Sequence, residues 1–293
     1  MTTVGVGIGL AFVAMLCWGF GDFLIQRSVR KIGDWESLFA ICGLGALVLL
    51  PFVWKELPSV AFGQAKSLLI LLGTGLILFV AAIFDFEALK RGKLAVVEPI
   101  WSLEVPAAAL LALFILGEKI SILQTTLISI LVVGLVLVSI KEKYSLKKFF
   151  VEKGVAISFF AAFLMGSANF FYGWGARVTD PLIVNFFVNA FVTAVTGLYL
   201  LARGRMAKAL KDLASNRAVI LSMCLADNSA WIAFAFAMTL APIAVATALS
   251  ESYIIIAVLL GLFINREKLQ FHQKVGLIGA IATAVALAAI TAA

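Results

Sequence analysis

Long apolar runs separated by short polar links make up almost the whole of this chain. A helix that crosses a bilayer needs roughly 20 apolar residues at about 1.5 Å per residue, and ten runs reach that length. They lie near residues 4–26, 35–54, 67–89, 94–116, 121–140, 154–177, 181–202, 217–239, 243–263 and 271–292. The pattern therefore predicts an all-α membrane protein with ten transmembrane helices.

The longest polar link, residues 141–153, divides these helices into two sets of five. We predict a first repeat at residues 1–140, a basic cytoplasmic linker at 141–153 and a second repeat at 154–293. Because five is an odd number, the second set enters the membrane from the opposite face, which predicts two inverted five-helix repeats. Such an arrangement lets a site at the membrane midplane open to either side in turn.

Similar residues recur in the two halves at a constant spacing. The pairs that lie 149 residues apart are Leu113-Phe114-Ile115 with Leu262-Phe263-Ile264, Glu118-Lys119 with Glu267-Lys268, and Gln124 with Gln273. Asp22-Phe23 and Asn169-Phe170 are 147 residues apart, which predicts a two-residue insertion between the first and fourth helices of the second half. The spacing indicates an internal duplication.

Composition agrees with a membrane protein and excludes several other classes. Hydrophobic residues make up 63% of the chain, charged residues make up 13%, and the mean hydropathy is +1.11, values far outside the range of soluble domains. The net charge of +7 comes from Lys and Arg in the links, so we predict no nucleic-acid partner. The cysteines are isolated and the sequence has no catalytic motif, which predicts no metal site, no cofactor and no enzyme activity.

Lys and Arg are unevenly distributed between the two ends of the predicted helices. The side that holds the N-terminus would carry Lys55, Lys66, Lys119 and Arg177, and the other side would carry the remaining nineteen. The positive-inside rule then puts the larger set in the cytoplasm and both termini outside. We predict a multi-pass protein of the inner or plasma membrane.

Acidic residues and tryptophan share one helical face on three predicted helices. Side chains three or four positions apart on a helix are neighbours, and an aromatic face beside a carboxylate binds an organic cation with about 2 kcal/mol or more per desolvated ring. Trp35 and Trp54 lie near span ends and are predicted to be interface residues, which is the alternative role for any membrane tryptophan. The three sets of an acidic residue and a tryptophan on one helical face are Trp18 with Asp22 on the first helix, Trp101 with Glu98 and Glu104 on the fourth, and Asp227 with Trp231 on the eighth.

Three carboxyl groups, Glu104, Asp227 and Glu251, fall near the centres of predicted helices. A charge there costs at least about 3 kcal/mol on insertion scales, so such a group is protonated at rest or awaits a cation. We therefore predict that these three residues carry proton coupling. The alternative for each one is a protonated carboxyl that binds a backbone carbonyl and holds two helices together.

Other residues complete the predicted cavity. Asn169, the counterpart of Asp22, can donate and accept hydrogen bonds and would orient the substrate, while Tyr253 would shape the cavity. Pro99 and Pro106 would loosen the fourth helix and free carbonyl groups near the acids. Toward the cytoplasmic mouth we predict ion pairs among Asp85, Glu87, Glu98 and Arg91.

Short motifs recur at the fourth helix and at the end of the ninth. The first half carries Ala88-Leu89-Lys90, Ser102-Leu103-Glu104, Pro106 and Gly117-Glu118-Lys119, and the second half carries Arg266-Glu267-Lys268. Together they resemble the drug/metabolite transporter superfamily, in its EamA-type ten-helix branch. The resemblance implies a secondary transporter for small metabolites with its cavity between the halves. It also implies termini in the cytoplasm, the reverse of the charge count, so orientation and the direction of transport stay open.

These observations predict a secondary active transporter that moves a small cationic or zwitterionic metabolite, an amine or an amino acid, by alternating access with proton coupling or exchange. The alternatives are a flippase for a lipid-linked substrate and a nucleotide-sugar-type exchanger. The expected partners are the substrate, the lipid bilayer and a coupling proton or counter-substrate, and the candidate assembly is a homodimer. The predicted substrate-binding residues are Trp18, Asp22, Trp101, Glu104, Asn169, Asp227, Trp231, Glu251 and Tyr253.

Overall fold

The computed structural model describes residues 2–63, 65–91, 100–140, 155–263 and 269–293, and every regular element in these ranges is a helix. Eight of the helices are long and apolar enough to cross a membrane, and they are the ones that begin at residues 3, 34, 65, 122, 155, 181, 217 and 271. The prediction of an all-helical, multi-pass membrane protein is confirmed. The helices are α1 (Thr3–Ile32), α2 (Asp34–Val53), α3 (Leu57–Phe62), α4 (Ala65–Arg91), α5 (Glu104–Leu116), α6 (Ile122–Ser139), α7 (Val155–Val178), α8 (Pro181–Ala202), α9 (Met206–Ser215), α10 (Arg217–Leu240), α11 (Ile243–Ser250), α12 (Tyr253–Phe263) and α13 (Phe271–Ala292).

The fourth and ninth predicted spans differ from the other eight. α5 covers the later part of the fourth span, and residues 94–99 of that span lie outside the described ranges. The ninth span is divided into α11 and α12 by a turn at residues 251–252. A turn at residues 102–103 precedes α5 in the same way, 149 residues earlier. Both spans are therefore interrupted at equivalent positions.

The same backbone hydrogen bond closes both turns. The Leu103 N–H donates to the Ile100 carbonyl across 3.0 Å, and the Ser252 N–H donates to the Leu249 carbonyl across 3.2 Å. Each bond joins residues three apart and so departs from the spacing of four in an α-helix. Pro106 lies in the first turn of α5, where a missing N–H leaves no helical bond unmade.

The helices pack in a pattern that stays the same when the two halves are exchanged. α1 packs on α10, and its counterpart α7 packs on α4. α5 packs on α7, and its counterpart α12 packs on α1. The remaining large contacts, α2 with α8 and α6 with α13, each join two equivalent helices.

α6 and α13 lie side by side and run in opposite directions. Gln124, near the start of α6, donates to the Thr291 hydroxyl near the end of α13 across 3.0 Å. Gln273, near the start of α13, donates to the Val138 carbonyl near the end of α6 across 3.0 Å. The start of each helix therefore binds the end of the other.

Both helices also begin with the same kind of N-terminal cap. Ser121 and Gln124 form a capping box at the start of α6, and Gln270 and Gln273 form one at the start of α13. In each box the two residues satisfy free N–H groups at the helix start reciprocally. The two caps are separated by the 149-residue spacing found in the sequence.

The two chain ends lie at one end of the bundle, because the Thr2 hydroxyl donates to the Ala292 carbonyl across 3.1 Å. We call this the terminal end, and we call the opposite end, which carries α9, the basic end. At the basic end Arg205 pairs with Glu36 across 2.6 Å.

The most deeply enclosed segment is the half-helix α11, in which every residue is buried. Tyr172, Phe170 and Phe234, on the neighbouring helices α7 and α10, are among the largest fully buried side chains. A helix that is broken inside a bundle has backbone groups without helical partners, which neighbouring protein must satisfy. The breaks are therefore the places where polar side chains are expected.

Candidate functional site

Two glutamates and one asparagine meet where the two broken helices are interrupted. Glu104 begins α5, Glu251 lies in the turn between α11 and α12, and Asn169 lies within α7. The Asn169 amide nitrogen donates to Glu104 Oε2 across 3.4 Å and to Glu251 Oε1 across 3.1 Å. Asn169 is 1% exposed, Glu104 is 7% exposed and Glu251 is half-buried. We call these three side chains the carboxylate cluster.

Gly166, one turn before Asn169, lets α5 approach α7. A Cβ added at this position would lie 2.5 Å from the Glu104 carbonyl oxygen and 2.7 Å from the Ala107 Cβ. Real Cβ atoms do not come so close to backbone, so the contact requires glycine, as close helix contacts in membranes often do. The approach carries Glu104 to the Asn169 amide.

The same close approach occurs in the other half, on α1. A Cβ added at Gly19 would lie 2.7 Å from the Ile256 Cβ of α12. Gly19 and Gly166 are 147 residues apart, and Ala107 and Ile256 are 149 residues apart, which are the two spacings found in the sequence. Each half-helix that follows a break therefore docks against an equivalent glycine.

A second cluster joins one acid to aromatic rings from three helices. Trp18 of α1 meets Trp231 of α10 edge to face with 5.2 Å between ring centroids, and the Tyr172 ring of α7 lies 4.6 Å from the Trp231 ring. Phe234 contacts both tryptophans. Asp227 lies one turn before Trp231 on α10, and its carboxyl lies near the Trp18 side chain. We call these five residues the aromatic cluster.

Three asparagines that we did not predict hold the helices beside the aromatic cluster. The Tyr172 hydroxyl donates to Asn185 Oδ1 across 2.8 Å. Asn189 Nδ2 donates to Asn228 Oδ1 across 3.0 Å, and Asn228 Nδ2 donates to the Ile41 carbonyl across 3.0 Å. The sequence carried a signal for them, because a polar side chain inside an apolar run is a candidate functional or helix-contact residue. Our prediction used that criterion for the acids only, and it included Asn169 as the counterpart of Asp22.

α7 carries one member of each cluster. Asn169 reaches the carboxylate cluster and Tyr172 reaches the aromatic cluster. The two residues are three positions apart, which places them on one face of the helix about one turn from each other. The two clusters are therefore stacked along α7 in the interior of the bundle.

Trp101 lies apart from the other two tryptophans. It packs against Ile100, Val155 and Ala162 in a small, separate apolar cluster. The structure therefore does not bring the third predicted acid–tryptophan group into the aromatic cluster. Tyr253 begins α12, is half-buried and packs against the main core.

The predicted ion pairs at the cytoplasmic mouth fall partly outside the described part of the chain. Asp85 and Glu87 lie in the last two turns of α4 and are half-buried. Arg91 ends α4, but its side chain is outside the described part, as is all of Glu98. The side chain of Asp22 on α1 is outside it too. These pairs, and the role of Asp22, stay predictions.

At the terminal end, one ion pair ties four helices together. The Arg177 guanidinium, at the end of α7, donates to Glu118 Oε1 across 3.0 Å. It also donates to the carbonyl of Met238, in the last turn of α10, across 2.7 Å and to the carbonyl of Ala241, just after α10, across 2.9 Å. Glu118, just after α5, accepts from the Ile243 N–H at the start of α11 across 2.9 Å. We call this pair the terminal latch, because it joins the ends of α5, α7 and α10 to the start of α11.

The chemistry of the two clusters suits an organic ligand better than a metal ion. Carboxylate oxygens accept charge-assisted hydrogen bonds from an ammonium group, and the faces of tryptophan rings attract the same group. Within the described ranges, no three His, Cys, Asp or Glu side chains form a set that could hold a metal ion. The two clusters therefore present carboxylate oxygens and aromatic ring faces inside one bundle.

Comparison with known proteins agrees with the predicted family. A model of the EamA-like transporter family matches residues 5–140 and again residues 152–289. One solved structure, described only as a crystal structure of a protein, is 17% identical with a TM-score of 0.74, and the match covers 97% of this chain and 95% of that chain, so the two share a fold. A comparison with curated proteins found no match. The resemblance to the EamA-type branch of the drug/metabolite transporters is confirmed, and the chain belongs to the EamA-like transporter family.

Proposed function

We propose that this membrane transporter is a secondary active carrier that moves a small cationic or zwitterionic metabolite, an amine or an amino acid, by alternating access. The observation that carries the proposal is the pair of carboxylates Glu104 and Glu251, joined at two helix breaks by the amide of Asn169. Secondary transporters form their substrate and ion sites where helices are interrupted near the membrane midplane. The proposal adds a substrate class and a mechanism to the family assignment.

Two inverted halves, residues 1–140 and 154–293, are part of this proposal. The matched turns at residues 102–103 and 251–252 support it, as do the matched glycines Gly19 and Gly166. The antiparallel contact of α6 and α13 supports it further, because equivalent helices run in opposite directions only when the halves are inverted. Ten spans follow when both interrupted helices cross the membrane, with residues 141–153 as the linker between the halves. The contact of Thr2 with Ala292 agrees with an even number of spans.

The aromatic cluster is the proposed cation site. Asp227 supplies a carboxylate, and Trp18 and Trp231 supply ring faces from two helices that belong to different halves. An ammonium group over the face of one of these rings would gain about 2 kcal/mol or more from that ring, in addition to its attraction to the carboxylate. A site built from both halves changes shape when the halves rock against each other, which is what alternating access requires.

The carboxylate cluster is the proposed coupling site. Two carboxylates that share one amide donor repel each other when both are charged, and the buried protein around them offers little screening. A proton or a cationic group is therefore expected to reside with one of them, and its exchange for the substrate would drive the cycle. Glu104 directly follows the first break, and Glu251 lies within the second. The distance between their carboxyl groups therefore changes when α5 or α12 moves.

The alternative functions need a different site. A flippase for lipid-linked substrates or a nucleotide-sugar exchanger must hold a phosphate, which calls for basic side chains in the interior. The two clusters inside the bundle carry acids instead, which repel an anion. The carrier of an organic cation is therefore the function that the geometry supports best.

Uptake into liposomes tests the proposal. Purified protein is reconstituted and given a panel of radiolabelled amines and amino acids, with and without a pH gradient. We expect the gradient to raise the uptake of at least one cationic compound several-fold, and Glu104→Gln and Glu251→Gln to abolish that effect. Glu56→Gln changes an exposed carboxylate in the link before α3 and serves as the matched control. Uptake that ignores the gradient, and that both variants leave unchanged, would remove the coupling mechanism.

A further inference from the structure

α9 is a short surface helix at the basic end, between the spans α8 and α10. We propose that its outer face binds the anionic phospholipid headgroups of the surrounding bilayer. The proposal does not depend on the transported substrate or on the coupling mechanism. It depends on how α9 is attached to the bundle, on where it lies relative to the lipid-facing surface of the spans, and on the charged side chains that it exposes.

α9 is fixed to the bundle along its inner face and at both ends. Ala209, on the inner face, is fully buried. Just before the helix Arg205 pairs with Glu36 across 2.6 Å, and just after it Asn216 accepts a hydrogen bond from Lys31 across 2.9 Å. The helix is therefore a fixed part of the protein surface, and its outward side chains keep a constant position relative to the spans.

The exposed apolar surface of the neighbouring spans ends at the level of α9. Leu198 and Leu201, in the last turns of α8, are exposed, and so is Leu221 in the second turn of α10. Exposed leucines on membrane spans face lipid chains, and between them and α9 lie exposed Arg203, which follows α8, and exposed Arg217, the first residue of α10. α9 itself exposes Leu210 on one flank of its outer face. A helix that presents apolar and basic side chains at this boundary is typical of the lipid interface.

Cationic side chains dominate the outward surface of this segment. Lys208 and Lys211 are one turn apart on α9, Arg203 and Arg217 lie just before and just after the helix, and all four are exposed. Asp212 is the one acid between residues 203 and 217, and it is half-buried. Each lysine near an anionic membrane surface contributes about fivefold to its attraction. The charge of this face thus complements anionic headgroups.

Two aromatic rings lie at the same end of the bundle as α9, next to Arg203. The Arg203 guanidinium lies 5.6 Å from the centroid of the Tyr199 ring, and that ring stacks on Trp35 with 3.8 Å between centroids. Tyrosine and tryptophan collect at the headgroup layer of a bilayer. The face is also continuous with the lipid-facing leucines of α8 and α10, which favours the bilayer over a soluble protein as its partner.

A lipid titration of the full chain in detergent tests the proposal. Phosphatidylglycerol is compared with phosphatidylcholine by the shift in melting temperature, in the unmodified protein and in Lys208→Gln/Lys211→Gln. We expect phosphatidylglycerol to stabilise the unmodified protein more, and the double variant to need roughly 25-fold more of it for the same shift, since each of the two interfacial lysines contributes about fivefold. Lys208→Arg/Lys211→Arg keeps the charge and should behave like the unmodified protein.

Two controls make the outcome decisive. Lys55→Gln/Lys119→Gln removes two exposed lysines at the terminal end and should leave the response to phosphatidylglycerol unchanged. Inorganic phosphate at the same concentration should give no shift. Equal responses in the unmodified protein and the Lys208→Gln/Lys211→Gln variant would overturn the proposal. An equal loss in the Lys55→Gln/Lys119→Gln variant, or a full shift with phosphate alone, would also overturn it.

Discussion

Gly166 lies directly against the backbone of Glu104, at a distance that leaves no room for a side chain. We predict that Gly166→Ala forces α5 away from α7 and lowers the free energy of unfolding by about 1–3 kcal/mol, the usual cost of overpacking. Transport should fall with it, because the shift separates Glu104 from Asn169. Unfolding in mixed micelles measures the first effect and liposome uptake the second.

Gly9→Ala is the matched control for that substitution. Gly9 is also a helical glycine of a membrane span, but a Cβ there meets nothing within 4 Å. Alanine at this position should be neutral or should stabilise by about 0.5–1 kcal/mol, because it restricts the unfolded chain. Equal effects at positions 166 and 9 would show that the approach of α5 to α7 is not limited by this contact.

Substitutions of Asn169 test whether transport needs the amide that donates to both Glu104 and Glu251. Asn169→Asp keeps the shape of the side chain but replaces the N–H donor with an acid beside two others. We expect transport to fall about tenfold or more at neutral pH and to recover partly at low pH, where a protonated carboxyl can donate again. Asn169→Ala cannot regain a donor, so its transport should not recover. Uptake measured across pH in both variants distinguishes these outcomes.

The terminal latch should contribute strongly to stability. Arg177→Lys keeps the charge but cannot reproduce the forked contacts with Glu118 and the two carbonyls of Met238 and Ala241. The expected loss is about 1–3 kcal/mol of unfolding free energy, the range for hydrogen bonds to charged groups. Lys119→Gln, at an exposed neighbour of the latch, should change stability little. Similar melting temperatures for Arg177→Lys and the unmodified protein would contradict this role.

Asn228 joins α10 to α2 and α8, and its removal should loosen all three. Asn228→Ala leaves the Asn189 amide and the Ile41 carbonyl without this partner, and a buried polar group left unsatisfied costs about 1–3 kcal/mol. Ser229→Ala, at the next and exposed position of α10, is the control and should be nearly neutral. Thermal unfolding of both variants in the same detergent provides the comparison.

The sequence predicted the membrane spans well because hydrocarbon imposes both length and composition on a helix. The 149-residue spacing was equally informative. It matched Gln124 with Gln273, and in the structure these two residues close equivalent capping boxes. A regular spacing of this kind survives because the two copies perform the same local task.

Other features depend on how the helices pack and could not be predicted from the sequence. Trp101 shares helical spacing with Glu104, but the neighbouring α7 decides which apolar surface the ring meets. The break at residues 251–252 has no proline nearby, so a search for helix breakers finds only the break at residues 102–103. Which amides among Asn185, Asn189 and Asn228 meet each other depends on how α2, α8 and α10 cross. These outcomes belong to tertiary packing, which periodicity does not encode.

α6 and α13 make a reciprocal contact, because a side chain at the start of each helix donates a hydrogen bond to the end of the other. An interface between two identical subunits around a twofold axis has the same form. A protein with only one five-helix half could form that interface with a second copy of itself. Equivalent positions of the two halves nevertheless differ, as Asp22 and its counterpart Asn169 show, so the two sides of the site are not interchangeable.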